Sequence, residues 1–128
     1  MAEEINDLPG VPKAVGPYSQ AKSGCGLVFL SGQIPLDPET GKLVTESFDA
    51  QAEQVMKNIK AVLDGIGLHF SDVIKATILV QDMKDYATMN EIYAKWMDGA
   101  RPARAAYQVA GLPLGAMVEI EMIAELKK

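Results

Sequence analysis

Cysteine is nearly absent: Cys25 is the only one in 128 residues, so no internal disulfide can staple the fold, which suits a reducing compartment. Histidine is just as scarce. His69 stands alone, which excludes a histidine-rich metal cluster within one chain and a histidine pair for acid–base work; no metal is expected. Positive charge is short as well, since 12 Lys and Arg against 17 Asp and Glu leave a net charge of −5. A phosphate-rich partner would meet a repulsive field, so nucleic acid is not expected. No run of about 18 apolar residues is present, and the opening Met1-Ala2-Glu3-Glu4-Ile5-Asn6-Asp7 is acidic where targeting presequences are basic. No membrane partner is expected, and the cytoplasm is the expected location. Neither common phosphate-cradling glycine loop occurs, nor does a Ser-His-Asp set with a second histidine.

What remains is a chain with 48% hydrophobic and 23% charged residues, the balance of one globular domain spanning 1–128. Pro9, Gly10, Pro12, Gly16 and Pro17 make the first 17 residues an extended lead-in without a helix. Two short β-type stretches between Ser19 and Ser31 flank Ser23-Gly24-Cys25-Gly26, a four-residue loop of hairpin length. Cys25 there reads as an incidental turn thiol. Residues 32–46 hold Gly32, Pro35, Asp37-Pro38 and Thr40-Gly41 and read as a loop with a tight turn.

Ser47 is a plausible N-cap, and Phe48, Ala52, Val55, Met56, Ile59, Val62, Leu63 and Ile66 recur at helical steps before Gly67. Val73 to Val80 is a β-branched strand. Asp82 and Asp85 offer caps to a second helix carrying Tyr86, Met89, Ile92, Tyr93, Trp96 and Met97, an aromatic stripe of the core or an interface, which Gly99 stops. An extended piece from Ala103 to Ala110 then turns through Gly111–Gly115 into a last strand, Val118 to Leu126. The order β-β-α-β-α-β-β predicts an α+β fold, one mostly antiparallel or mixed sheet with two helices on one face.

Period-2 geometry places Glu119, Glu121 and Glu125 on the face away from the helices. Arg104 is assigned to the same polar set. If the last two strands pair, it lies near Glu121, or near Glu119 on the diagonal. Alanines 103, 105 and 106 leave room around its guanidinium, which could receive a ligand carboxylate through two parallel hydrogen bonds or make a structural salt bridge with either glutamate. Arg101 reads as a solvated loop charge and His69 as a surface residue. The uncovered face also carries Val73, Leu79 and Ile123. Leaving several hundred Å² of apolar surface wet forfeits several kcal/mol at about 25 cal/mol per Å², so self-association through that face is expected.

Gly16-Pro17-Tyr18-Ser19-Gln20, Ser31-Gly32-Gln33-Ile34-Pro35, Asn90-Glu91-Ile92-Tyr93, the run Arg101 to Ala110, and Val118-Glu119-Ile120-Glu121 together resemble the RidA (YjgF-type) family, long named endoribonuclease L-PSP. The likeness spans essentially the whole chain. It implies a chorismate-mutase-like subunit, a homotrimer with clefts between subunits, and hydrolysis of reactive enamines and imines such as 2-aminoacrylate to 2-keto acids and ammonia. That is a hydrolase of the 2-iminobutanoate/2-iminopropanoate deaminase type, with no cofactor. Carried over by position, Arg104 would clamp the substrate carboxylate and Glu119 would position or activate the attacking water. Tyr18, Ser31, Asn90 and the Gly32 backbone would shape the pocket. Ala106, also placed among the substrate-binding residues, stands where bacterial members often have cysteine, and Arg-Ala-Ala-Tyr-Gln-Val resembles the animal branch. An iminium carbon is already electrophilic, so orientation and a placed water suffice. Two other functions fit the family or the site: an endoribonuclease that inhibits translation, which the acidic charge and single histidine disfavour, and a sensor that binds 2-keto acids without turnover.

Overall fold

The computed structural model describes residues 2–127. Helix α1 runs from Phe48 to Gly65 and begins where Ser47 Oγ accepts the Ala50 N–H at 3.0 Å. Its stripe from Phe48 through Val55, Met56, Ile59 and Val62 to Leu63 is buried. Full burial of each such side chain contributes roughly 1.5–3 kcal/mol. It ends because Gly67, at φ 75°, reverses the chain and lets the Leu68 N–H return to the Leu63 carbonyl at 2.9 Å. Helix α2, Tyr86–Met97, buries Met89, Tyr93 and Met97. Asp98 and Gly99, both left-handed, stop it.

Six strands form one sheet: β1 (Glu3–Ile5), β2 (Ala21–Gly24), β3 (Leu27–Gln33), β4 (Val73–Val80), β5 (Ala103–Gln108) and β6 (Val118–Glu125). Their spatial order is β1-β2-β3-β6-β4-β5. All neighbours are antiparallel except β4 and β5. The fold is thus α+β, with both helices on one face of a mixed sheet. Along β6 the residues Val118, Ile120, Met122 and Ala124 are buried under the helices while Glu119, Glu121, Ile123 and Glu125 point away, as the alternation predicts.

Four expectations need correction. The lead-in holds an extra strand, β1, whose single apolar residue Ile5 pairs with Ala21; three residues carry too little alternation to be read. Its continuation is pinned by buried Gln20, which accepts the Leu8 N–H and donates to the Pro12 carbonyl at 2.9 Å. The β2–β3 loop is two residues, Cys25 and Gly26, both at positive φ, because Gly24 still pairs with Leu27. An irregularity between Val73 and Lys75 turns Val73 into the core and leaves Ile74 outside.

The fourth is the largest. β5 and β6 do not pair: β4 lies between them, with Ala76 flanked by Arg104 on one side and Met122 on the other. Cross-strand partners share a face, so Arg104 belongs to the helix-covered side with Met122 and stands opposite the glutamates.

Candidate functional site

On the open face, a cleft of about 390 Å³ is lined by Tyr18, Ser31, Gly32, Ile34, Glu119 and Glu121, among others. The Ser31 hydroxyl donates to the Ser19 carbonyl at 2.5 Å, which fixes the end of β3 against the residue after Tyr18. The Tyr18 hydroxyl accepts the Val15 N–H at 3.2 Å, holding a half-exposed ring at the cleft mouth. Gly32 leaves the Glu119 carboxylate its place: a β-carbon there would overlap that carboxylate and sit 3.0 Å from its Cδ. Glu119 makes no ion pair among the described residues. Burial, and next the repulsion of Glu121, push its pKa above the ordinary carboxylate value. Pairing with Arg104 or Lys75 would have lowered it; neither partner is there. A carboxylate so placed is a better proton acceptor than a free one.

Arg104 and Asn90 lie elsewhere, in a cleft of about 480 Å³ where α2 meets the start of β5. The guanidinium Nη2 donates to the Tyr86 hydroxyl at 2.8 Å. Its Cζ lies 5.0 Å from the Tyr93 ring centre and 5.7 Å from that of Tyr86. Among the described residues it has no carboxylate partner, so the expected bridge to Glu119 or Glu121 does not form. Asn90 Oδ1 and the Tyr93 hydroxyl are buried there without hydrogen-bond partners among the described residues. Burial raises the Tyr93 pKa while the Arg104 charge acts against that rise. Arg101 is exposed at the rim, and Ala106 packs against the core on the Arg104 side.

The predicted residues therefore fall into two groups within one chain. Tyr18, Ser31, Gly32 and Glu119 share one cleft; Asn90 and Arg104 share another. Arg104 is in register with Met122 and Glu119 with Leu79. The two backbone positions are thus about 10 Å apart across β4 and about 10 Å apart along the strands, with side chains on opposite faces. A wider cleft of about 580 Å³ beside Trp96 and Phe70 contains none of them, and its one lysine, Lys60, is paired with Asp64 at 2.7 Å.

Tyr86 and Tyr93 belong to the aromatic stripe read as core or interface, and Tyr93 is in the core; the sequence reading missed that both also form the seat of Arg104. The signal was Asn90: Tyr86, Asn90 and Tyr93 stand at i, i+4 and i+7, one face of a helix, where a polar residue interrupts aromatics. Glu121 joins the site as a second charge, for which period-2 alternation with Glu119 was the available clue.

Among the described residues no helix is long and apolar enough to cross a membrane. Residues 10–126 match the family described as Endoribonuclease L-PSP. The chain is 51% identical to Reactive Intermediate Deaminase A, chloroplastic, of Arabidopsis thaliana over 97% of its own length and 66% of that protein. It is 49% identical to the 2-iminobutanoate/2-iminopropanoate deaminase of Mus musculus over 88% of this chain and 84% of that one. The crystal structure of E. coli TdcF with bound serine superposes with TM-score 0.90 at 38% identity, covering 98% of this chain and 100% of that one. A match across nearly the whole length, in sequence and in fold alike, makes this chain a member of the endoribonuclease L-PSP family, the family of the RidA-type deaminases.

Proposed function

We propose that this protein hydrolyses small carboxylate-bearing enamines and imines, such as 2-aminoacrylate, to 2-keto acids and ammonia, at sites completed between subunits of a homotrimer. The observation that carries the reading is the division of the site: an unpaired arginine in one cleft and an unpaired, weakly acidic glutamate in another, on opposite faces of one sheet. Each half lacks what the other has. The open face also exposes Phe29 at 48% and Tyr107 at 53%, an apolar surface suited to a second copy of the chain. Relatives named as deaminases support the reaction class.

In this mechanism Arg104 of one protomer holds the substrate carboxylate through two parallel hydrogen bonds. An enamine is first protonated at carbon to give the iminium ion. Glu119 of the neighbouring protomer takes a proton from water as the water oxygen bonds to the iminium carbon, which leaves a neutral carbinolamine. Glu119 returns that proton to the nitrogen and accepts the hydroxyl proton as the C–N bond breaks, then gives it up to solvent, so ammonia and the 2-keto acid leave and one water is consumed per keto acid formed. Ser31, Tyr18 and Asn90 supply polar groups around the reacting centre, and no metal or cofactor enters the balance.

The test generates the imine in situ from an amino acid and follows its capture by semicarbazide. Wild-type protein is expected to divert imine from semicarbazone formation, and Arg104→Ala to return the rate to that of spontaneous hydrolysis while keeping the oligomer. Unchanged turnover in Arg104→Ala refutes the mechanism. Keto-acid binding without turnover in the wild type would make the protein a sensor. RNA cleavage that survives in Arg104→Ala would make it a nuclease.

A further inference from the structure

We propose that Tyr86 is a positioning residue: its hydroxyl fixes the direction of the Arg104 guanidinium without pairing off its charge, and so sets the affinity for the substrate carboxylate. This rests on the reading of Arg104 as the carboxylate receptor.

A free arginine side chain loses much of its rotamer freedom when it grips a ligand, and that loss is subtracted from the binding free energy. Arg104 is already restrained. One N–H of its Nη2 donates to the Tyr86 hydroxyl at 2.8 Å, and its plane lies by the Tyr93 ring at 5.0 Å. Both groups are anchored on α2, where Tyr93 is 7% exposed. The side chain is therefore held at its far end by a packed helix, seven residues and two turns of which supply both contacts.

The chemistry of the acceptor matters more than its presence. An aspartate or glutamate at position 86 would also fix the guanidinium, but as an ion pair, and an incoming carboxylate would have to displace or share that charge. A phenol oxygen is neutral. It takes one of five N–H donors and leaves the positive charge uncompensated, consistent with the lack of any Arg104 ion pair among the described residues. The remaining donors can still meet a carboxylate in a bidentate fork. Tyrosine at this place thus does what a carboxylate could not: it orders the receptor and leaves the receptor's charge uncompensated.

The effect is on binding and not on the proton transfers, which take place at the imine carbon and nitrogen and not at the carboxylate oxygens that Arg104 holds. Tyr86→Phe keeps the ring and its packing and removes only the acceptor oxygen. It is expected to weaken binding of 2-oxobutanoate, followed by calorimetry, about 3- to 10-fold, the range set by freeing one rotamer-rich side chain. KM for the imine should rise by the same factor with kcat within about twofold of wild type. In the same sample the backbone fold should be unchanged, while the order parameter of the Arg104 Nε–H, measured by NMR, should fall.

Unchanged affinity in Tyr86→Phe, with binding abolished by Arg104→Ala, overturns the tether and leaves the carboxylate reading standing. A fall in kcat at unchanged KM overturns it too, since the hydroxyl would then act on the chemical step. A wild-type protein that binds no 2-oxobutanoate overturns both readings together.

Discussion

If Arg104 and Glu119 serve one site only across a subunit boundary, two inactive variants should restore each other. Arg104→Ala and Glu119→Gln each remove one half of the site, and neither touches the other half, because the two residues line separate clefts on opposite sheet faces with β4 between their strands. In a ring built at random from equal amounts of the two chains, a site is intact when its arginine comes from the Glu119→Gln chain and its glutamate from the Arg104→Ala chain. Each condition holds half the time, so about a quarter of wild-type activity should return. For a trimer the same figure follows another way: every mixed ring contains one intact site of three, and about three rings in four are mixed. The chains can be co-expressed with different tags, mixed rings isolated by tandem purification, and turnover measured by semicarbazide competition. The purified mixed rings should show about a third of wild-type turnover. A mixture no more active than its components would mean that both groups act within one chain or that one of them does not act, and the shared site would be refuted.

Glu119→Gln alone should lower kcat about 10²- to 10⁴-fold, as expected for loss of a general base, and the acid limb of the wild-type kcat profile should lie above the ordinary carboxylate value of 4.5. Because the folded chain holds the Glu119 proton more tightly than the unfolded chain does, ionisation costs stability as pH rises through the folded pKa. The melting temperature of Glu119→Gln at pH 7 should therefore equal or exceed that of wild type, with the difference closing below pH 4.5; a lower melting temperature at neutral pH would mark the carboxylate as structural. Gly32→Ala should displace that same carboxylate, because the new β-carbon needs its space. The carboxylate is the mobile end of a side chain, so activity should fall at least tenfold while stability changes by no more than about 1 kcal/mol by calorimetry; equal losses in both would show that the backbone had moved instead.

The helices were legible because their signals are local. A serine cap, an apolar stripe and a left-handed stop are all written within α1 and its flanks, and the structure uses each of them. The open-face cleft was legible for a similar reason, since strict alternation along β6 separates Glu119 from the core without reference to any other strand. What could not be read was adjacency. The five residues from Gly111 to Gly115 suggest a short hairpin, but β5 pairs in parallel with β4 through α2, and β6 enters between β3 and β4. Two antiparallel strands joined by a short connection are ordinarily neighbours. The identity of the strand inserted between them depends on contacts between residues far apart in the chain, such as Ala76 with Arg104 and with Met122.

The same gap explains the misplacement of Arg104. Its own strand misleads, because Tyr107 shares a face with Ala103 and Ala105 while Gln108 shares one with Arg104 and Ala106. The alternation therefore marks the Arg104 row as the polar, outer one. Position in the sheet decides otherwise. On β6, in the middle, the helix-covered face holds Ile120 and Met122 at 0% and 1% exposure, and a guanidinium there would lose its hydration with nothing to replace it. On β5, at the sheet edge, the same face is only partly covered. The side chain can place its guanidinium over the Tyr93 ring, donate to Tyr86 and still line a cleft. An arginine is tolerated under the helices because it is on the edge strand, and it can meet a ligand for the same reason: the edge that spares it full burial also leaves its guanidinium lining a cleft.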